Sequence, residues 1–151
     1  MPLRPPSVLL IRPSEPSHEL QFSIGMGYIA RALSEAGFAV ETLCLDLFDI
    51  EDIGVLRFLV DHPHKIFGIG GMYGSFHEFI RLCRLIRTAV PDAVILLGGA
   101  LPTSCPEFML AKTGADIACI GPAEESTVKV VEALVGGGDV RRQLELPADD
   151  N

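Results

Sequence analysis

A chain of 151 residues is a one-domain length, and a domain of this size buries about 70% of the surface its unfolded chain would expose. Twelve basic against twenty acidic residues give a formal net charge of −8, which repels a phosphate backbone and argues against nucleic acid as a partner. No apolar run approaches the ~20 residues needed to cross a bilayer, and Val8-Leu9-Leu10-Ile11 is too short for a signal-peptide core, so a cytoplasmic location is expected and a membrane partner is not.

Met1 to Pro6 are proline-rich and read as an extended lead-in. Ser7-Val8-Leu9-Leu10-Ile11-Arg12 is the first expected strand, ended by Pro13, and the connection that follows, Pro13 to Phe22, is longer than most strand-to-helix links. Ser23 is a candidate cap for a helix running to Ala36, with Gly37 as its stop. Gly25 and Gly27 cost that helix stability, which points to close approach of a ligand or backbone, or simply to helix packing. Phe38 to Leu45 reads as the second strand, with Asp46 at its end.

Ile50 to His62 carries apolar residues at helical spacing and is halted by Pro63. His62 and His64 flank that proline in a turn, where solvated side chains are expected. Lys65 to Gly71 is a third buried strand finishing in glycine. Ser75-Phe76-His77-Glu78 has the capping-box pattern and opens a helix to Val90, with His77 exposed in its first turn. Ala93-Val94-Ile95-Leu96-Leu97 has no polar alternation and stops at Gly98-Gly99, as a strand buried on both faces does where it needs bare backbone. Ser104-Cys105-Pro106-Glu107 is a second capping box for a short helix to Lys112, with Gly114 as its terminator. Asp116 to Ile120 is the fifth strand, stopping at Gly121, and a last helix starts at Pro122 or Glu124 and ends in Gly136-Gly137-Gly138. Residues 139–151 are polar and aperiodic, a tail or linker after a single domain at 1–138.

Five strands alternating with five helices predict an α/β fold: a doubly wound, three-layer parallel sheet of flavodoxin-like (Rossmann-like) order 2-1-3-4-5. In that order the loops after strands one, three, four and five crowd one edge of the sheet, where ligands of open α/β sheets bind. These loops are rich in glycine and hydroxyls, and the last three hold no lysine or arginine for a phosphate. The acidic residues, phospho-accepting aspartate and lysine of a phosphorelay receiver are missing from them, and no GxGxxG follows a strand.

No nucleophile has a base beside it, and Ser75 and Ser104 are explained as helix caps, so no catalytic residue is assigned. Cys44, Cys83, Cys105 and Cys119 form no CxxC, CxxxCxxC or Cys/His cluster, which argues against an iron–sulfur cluster or structural zinc. Cys44 and Cys119 lie in apolar strand-like runs and are expected to be small buried hydrophobes. What such loops suit is a large, mostly uncharged ligand on a glycine floor, its amide fringe met by main-chain amides and a few hydroxyls. A tight strand-to-helix turn with no ligand is the alternative reading of the glycine pair.

The chain resembles the cobalamin-binding domain that precedes the catalytic barrel of many B12-dependent radical S-adenosylmethionine enzymes, from about Val8 to Gly138. The resemblance is carried most specifically by Gly98-Gly99-Ala100-Leu101-Pro102-Thr103 followed by Pro106-Glu107, and also by Tyr28-Ile29-Ala30 with Leu33 and Gly37 in step. The family's prolines before the first helix are lost, and its Gly-Glu-Gly-Glu after strand five is Gly121-Pro122-Ala123-Glu124 here, where Pro122 removes an amide donor.

The resemblance implies a corrin ring on the carboxyl ends of the strands, with the nucleotide tail threaded beside the glycine pair. The cofactor contacts it implies are Ser14, Ser17 and His18 in the first loop and Ser23 and Gly25 at the start of the first helix. After the third strand they are Gly70, Gly71, Met72, Tyr73 and Ser75. After the fourth they are Gly98, Gly99, Ala100, Pro102 and Thr103, and after the fifth Gly121 and Glu124. The Asp-x-His-x-x-Gly signature is absent, with Gln21 where its glycine would stand after His18, so cobalt without a protein lower ligand is expected and His18 is the minor alternative.

The catalytic barrel with its CxxxCxxC is also absent from this sequence. The expected function is therefore a corrinoid carrier, a sensor, or the amino-terminal piece of a radical enzyme, partnered by a radical catalytic domain or a separate protein. The alternative is a cofactor-free interaction or regulatory protein on the same fold.

Overall fold

The computed structural model describes residues 7–13, 24–45, 51–71 and 75–136. The expected roles of Ser14, Ser17, His18, Ser23, Met72 and Tyr73, and of the polar tail, fall outside the described residues. Five strands, β1 (Ser7–Arg12), β2 (Ala39–Cys44), β3 (Ile66–Gly70), β4 (Val94–Gly98) and β5 (Ile117–Ala118), form one sheet in the order β2-β1-β3-β4-β5. Every pairing is parallel. The flavodoxin-like doubly wound architecture expected from the βα alternation is the one observed.

Strand alternation sends successive side chains to opposite faces, and each face has its own helices. α2 (Asp52–Asp61), α3 (Phe76–Ala89) and α5 (Pro106–Thr113) cover the face that carries Leu9, Ile11, Phe67, Ile69, Ile95 and Leu97. α1 (Ile24–Glu35) and α6 (Glu124–Val135) cover the other, through Leu33, Val130 and Val131 against Val8, Leu10, Ile66 and Leu96. In α3 the buried positions Phe79, Leu82, Cys83 and Ile86 follow the helical stripe that the sequence shows. Burial of a side chain such as Ile95 or Leu97 contributes about 1.5–3 kcal/mol each.

Several local expectations are corrected. A short helix, α4 (Ala100–Ser104), precedes α5, so six helices are present among the described residues rather than five. Ser104 does not cap α5: it lies in the last turn of α4, where its hydroxyl donates to Ala100 O at 3.0 Å, and Cys105 takes the cap position before Pro106. Ser75 stands at the cap of α3 without a side-chain cap hydrogen bond, and Glu78 pairs with Arg81 at 2.9 Å instead of reaching back. The last strand covers only Ile117–Ala118, although Cys119 N–H extends the ladder to Leu97 O at 2.7 Å. Cys44 is half-buried rather than buried.

His64 is the clearest departure, being buried where solvent was expected. Its Nε2–H donates to Glu41 Oε2 at 2.5 Å, and its Nδ1 accepts from the Ser7 hydroxyl at 2.8 Å. His62 Nδ1–H donates to the other carboxylate oxygen at 2.9 Å. This tautomer follows from an ionised carboxylate being able only to accept. One carboxylate thus joins β2 to the α2–β3 turn. Hydrogen bonds from His64 and then His62 hold the Glu41 carboxyl below the usual carboxylate range.

A carboxyl whose folded pKa is depressed stabilises the fold above its ordinary value of 4.5, and that contribution is lost as the pH falls through the lowered folded value. Glu41→Gln is expected to lower the melting temperature at pH 6 by roughly 2–4 °C, in keeping with a half-exposed group. The gap to wild type should close as thermal scans are taken from pH 6 to pH 3. A gap that persists at the acid end would show that lost packing, not the charge, is responsible.

Candidate functional site

Above the carboxyl ends of the strands, β3 and β4 end side by side in glycine, with Gly70 opposite Gly98 in the register. Gly71 N–H reaches Gly98 O at 3.4 Å, and Gly99 follows at φ +100°, a conformation that side-chain-bearing residues rarely adopt. A Cβ on Gly99 would sit 2.5 Å from Gly71 O, so two main chains meet there with no room between them. A Cβ on Gly98, by contrast, would meet no described residue within 4 Å. The first glycine of the pair opens space and the second closes the turn.

That space continues along the α1/α6 face of the sheet as a cavity of about 400 Å³. The even-numbered residues of β1, β3 and β4 point to this face, so its lining follows from strand parity. Leu10, Gly68 and Leu96 form one row across neighbouring strands, and Arg12, Gly70 and Gly98 the next. Leu10 leans over Gly68, where a Cβ would lie 2.8 Å from its Cδ2, while the row with glycine at both Gly70 and Gly98 stays bare, so the sheet carries a trench at the carboxyl ends of its strands. Met26 and Ile29 from α1 and Ala123 and Thr127 from α6 line it from the helix layer, and Cys119 from the β5 side. Burial pushes the Cys119 thiol up from its ordinary value, so it stays a neutral thiol near pH 7.

Among the expected site residues that are described, the cavity brings together Gly25, Gly70, Gly71, Gly98, Gly99, Ala100, Gly121 and Glu124. Ser75, Pro102 and Thr103 are not in its lining. Ser75 and Pro102 are buried. The Thr103 hydroxyl accepts from Gly121 N–H at 3.0 Å, which ties the loop after β4 to the loop after β5. No described residue lies within 4 Å of where a Cβ on Gly25 or Gly27 would stand, and Gly25 stands at the cavity wall.

Sequence reading missed Arg12, Gly68 and Thr127 as lining residues. Arg12 and Gly68 carried a legible signal: Arg12 shares parity with Leu10, and Gly68 interrupts a strand interior, as glycine does where something must come close. Among the described residues no group of three His, Cys, Asp or Glu side chains is placed to hold a metal ion. No helix among them is long and apolar enough to cross a membrane.

A doubly wound sheet with a glycine-floored cavity at its carboxyl edge is a small-molecule-binding domain in architecture. The profile of the B12 binding domain matches residues 18–131, and the chain belongs to that family. Among solved structures it is similar to TsrM, a radical S-adenosylmethionine methyltransferase from Kitasatospora setae solved with cobalamin and an iron–sulfur cluster. The TM-score is 0.81 at 20% identity, over 89% of this chain and 27% of that one.

OxsB, a cobalamin-dependent S-adenosylmethionine radical enzyme solved with aqua-cobalamin and S-adenosylmethionine, matches with a TM-score of 0.75 at 16% identity, over 89% of this chain and 19% of that one. A cobalamin-binding protein from Desulfitobacterium hafniense DCB-2 matches with a TM-score of 0.63 at 17% identity, over 83% of this chain and 57% of that one. At these identities the likeness is one of fold. No curated protein matches. The chain spans only about a quarter of the length of TsrM.

The two glycines of the pair should respond oppositely to one methyl group. Gly99→Ala is expected to lose about 1–3 kcal/mol of stability or more, since it combines backbone strain with a main-chain clash. Gly98→Ala should melt close to wild type. Chemical denaturation of both variants checks this, and equal losses would contradict the assigned roles.

Proposed function

We propose that this domain binds cobalamin, with the corrin ring over the main chain at Gly70-Gly71 and Gly98-Gly99 and the nucleotide tail laid in the trench between the sheet and α1/α6. The observation that carries the reading is the position beside Gly98, unfilled among the described residues and continuous with a mostly apolar cavity along a face that strand parity leaves bare at Gly70. A volume of about 400 Å³ is at the lower end of small-molecule sites. It suits one arm of a corrinoid, with the ring outside at the sheet edge. The family and the cobalamin-bound state of TsrM and OxsB support the same ligand.

Residues of this chain fit the cofactor in kind. Gly121 N–H is spent on the Thr103 hydroxyl, and what the loop after β5 offers the amide N–H groups of the corrin fringe is the Glu124 carboxylate. The Asp-x-His-x-x-Gly signature is absent from the sequence, and the reading therefore has cobalt without a lower ligand from this chain. Bound cobalamin supplies a cobalt centre that can take up and hand on an alkyl group. With no catalytic residue assigned, the domain's part is to hold and present the corrinoid, as a carrier, a sensor or one piece of a radical enzyme. The partner would be a radical catalytic domain or a separate protein.

Protein mixed with hydroxocobalamin and passed through a desalting column should emerge red, with close to one corrinoid per chain by absorbance. Gly98→Leu should fold and emerge colourless, because its side chain enters the trench and meets no protein atom at Cβ. Colourless wild-type protein would instead support the cofactor-free interaction protein, and a Gly98→Leu variant as red as wild type would remove the trench from the account.

A further inference from the structure

The trench has an inner end. Leu10, Gly68 and Leu96 are partners across β1, β3 and β4, and all three line the cavity. The row before them, Val8, Ile66 and Val94, is not in the lining and packs with Leu33 of α1 instead. Among the described residues the cavity therefore stops at the Leu10 row. At the centre of that row glycine supplies no side chain, and Leu10 takes the place, its Cδ2 only 2.8 Å from where a Gly68 Cβ would stand. Leu10 is buried on a strand flanked by β2 and β3, so a bulkier guest can move it only at the expense of a packed layer.

We propose that Leu10, standing over Gly68 as the inner stop of the trench, sets the size of the base that a corrinoid tail can carry. The inference rests on the cobalamin reading above and adds a specificity determinant to it. A nucleotide tail ends in a flat heteroaromatic base, its most rigid part. A tail that runs inward from a ring at the glycine edge brings that base toward the Leu10 row. With a volume of about 400 Å³ the cavity has room for one such arm, and the wall it meets at the end is Leu10 and Leu96. A longer base must displace buried side chains, with the strain that overpacking brings. Truncating Leu10 lengthens the trench, whereas a methyl on Gly68 shortens it by pushing the end of Leu10 outward.

The test titrates the full chain calorimetrically with three corrinoids. Hydroxocobalamin carries dimethylbenzimidazole, a second corrinoid carries naphthimidazole, in which a fused ring replaces the two methyls, and diaquocobinamide carries no base. Wild type is expected to bind the naphthimidazole form roughly tenfold or more weakly than cobalamin, the scale of a methylene misfit in an apolar pocket. Leu10→Ala should bring the two to within about threefold of each other, and Gly68→Ala should weaken cobalamin by about tenfold. Cobinamide, with no base to place, should bind both variants within about twofold of wild type.

Melting curves first establish that each variant folds. Gly68→Ala meets only the far end of one side chain, and the wild-type ratio needs no variant, so the test survives a Leu10→Ala that fails to fold. Equal affinity of wild type for the two bases would overturn the selection by Leu10 while leaving cobalamin binding intact. So would a folded Leu10→Ala that keeps the wild-type ratio, or a Gly68→Ala that binds cobalamin as wild type does. Wild type that binds none of the three would overturn the cobalamin reading itself, and this inference with it.

Discussion

The closest constraint in the molecule is the contact between the main chains at Gly71 and Gly99, where a single Cβ would collide with a carbonyl oxygen at 2.5 Å. It lets β3 and β4 end side by side without side chains between them, and so it leaves the sheet edge bare. Bareness at that edge is what a broad, flat ligand needs, and it is costly, because each glycine gives up more backbone entropy on folding than other residues do. The fold offsets that cost with two apolar layers, above all the packed face of α2, α3 and α5, where no glycine of the strands points.

The two faces of the sheet therefore divide the work. One is filled by Phe67, Ile69, Ile95 and Leu97 against α3 and carries the packing. The other is filled at its amino-terminal half by Val8, Ile66 and Leu33 and opens into the trench at its carboxyl half. Polar anchoring lies away from the cavity. The Glu41 carboxylate joins β2 to the α2–β3 turn, and Arg87 on α3 bonds Ala93 O, Gly114 O and Asp116 near the starts of β4 and β5. At the cavity edge, Thr103 links two loops through Gly121.

Strand positions were legible because unbroken apolar runs stop abruptly at glycine, and strand order because strands and helices alternate throughout. The trench was not. It depends on which glycines share a face, and Gly68, Gly70 and Gly98 share one only once the register places Leu10 beside Gly68 and Gly70 beside Gly98. Arg12 was hidden for the same reason, being read as the polar end of a strand rather than as the partner of Leu10 on the ligand face. His64 shows the reverse failure. Its neighbours in sequence are a proline and a lysine, which argue for solvent, while its actual partners, Ser7 and Glu41, are brought to it by strand pairing. The capping box at Ser104 failed because α4 takes its hydroxyl to Ala100 O, and the one at Ser75 because Glu78 pairs with Arg81 rather than reaching back to the cap.

In the proposed reading the tail of the corrinoid lies in the trench, its base is held away from cobalt, and cobalt has no lower ligand from this chain. Electron paramagnetic resonance of the cob(II)alamin form bound to the protein tests that claim most directly, because an axial nitrogen splits each cobalt line. The account predicts cobalt lines without nitrogen splitting. Lines that keep the splitting shown by free cob(II)alamin with its base attached, or that acquire it from a histidine, would contradict it.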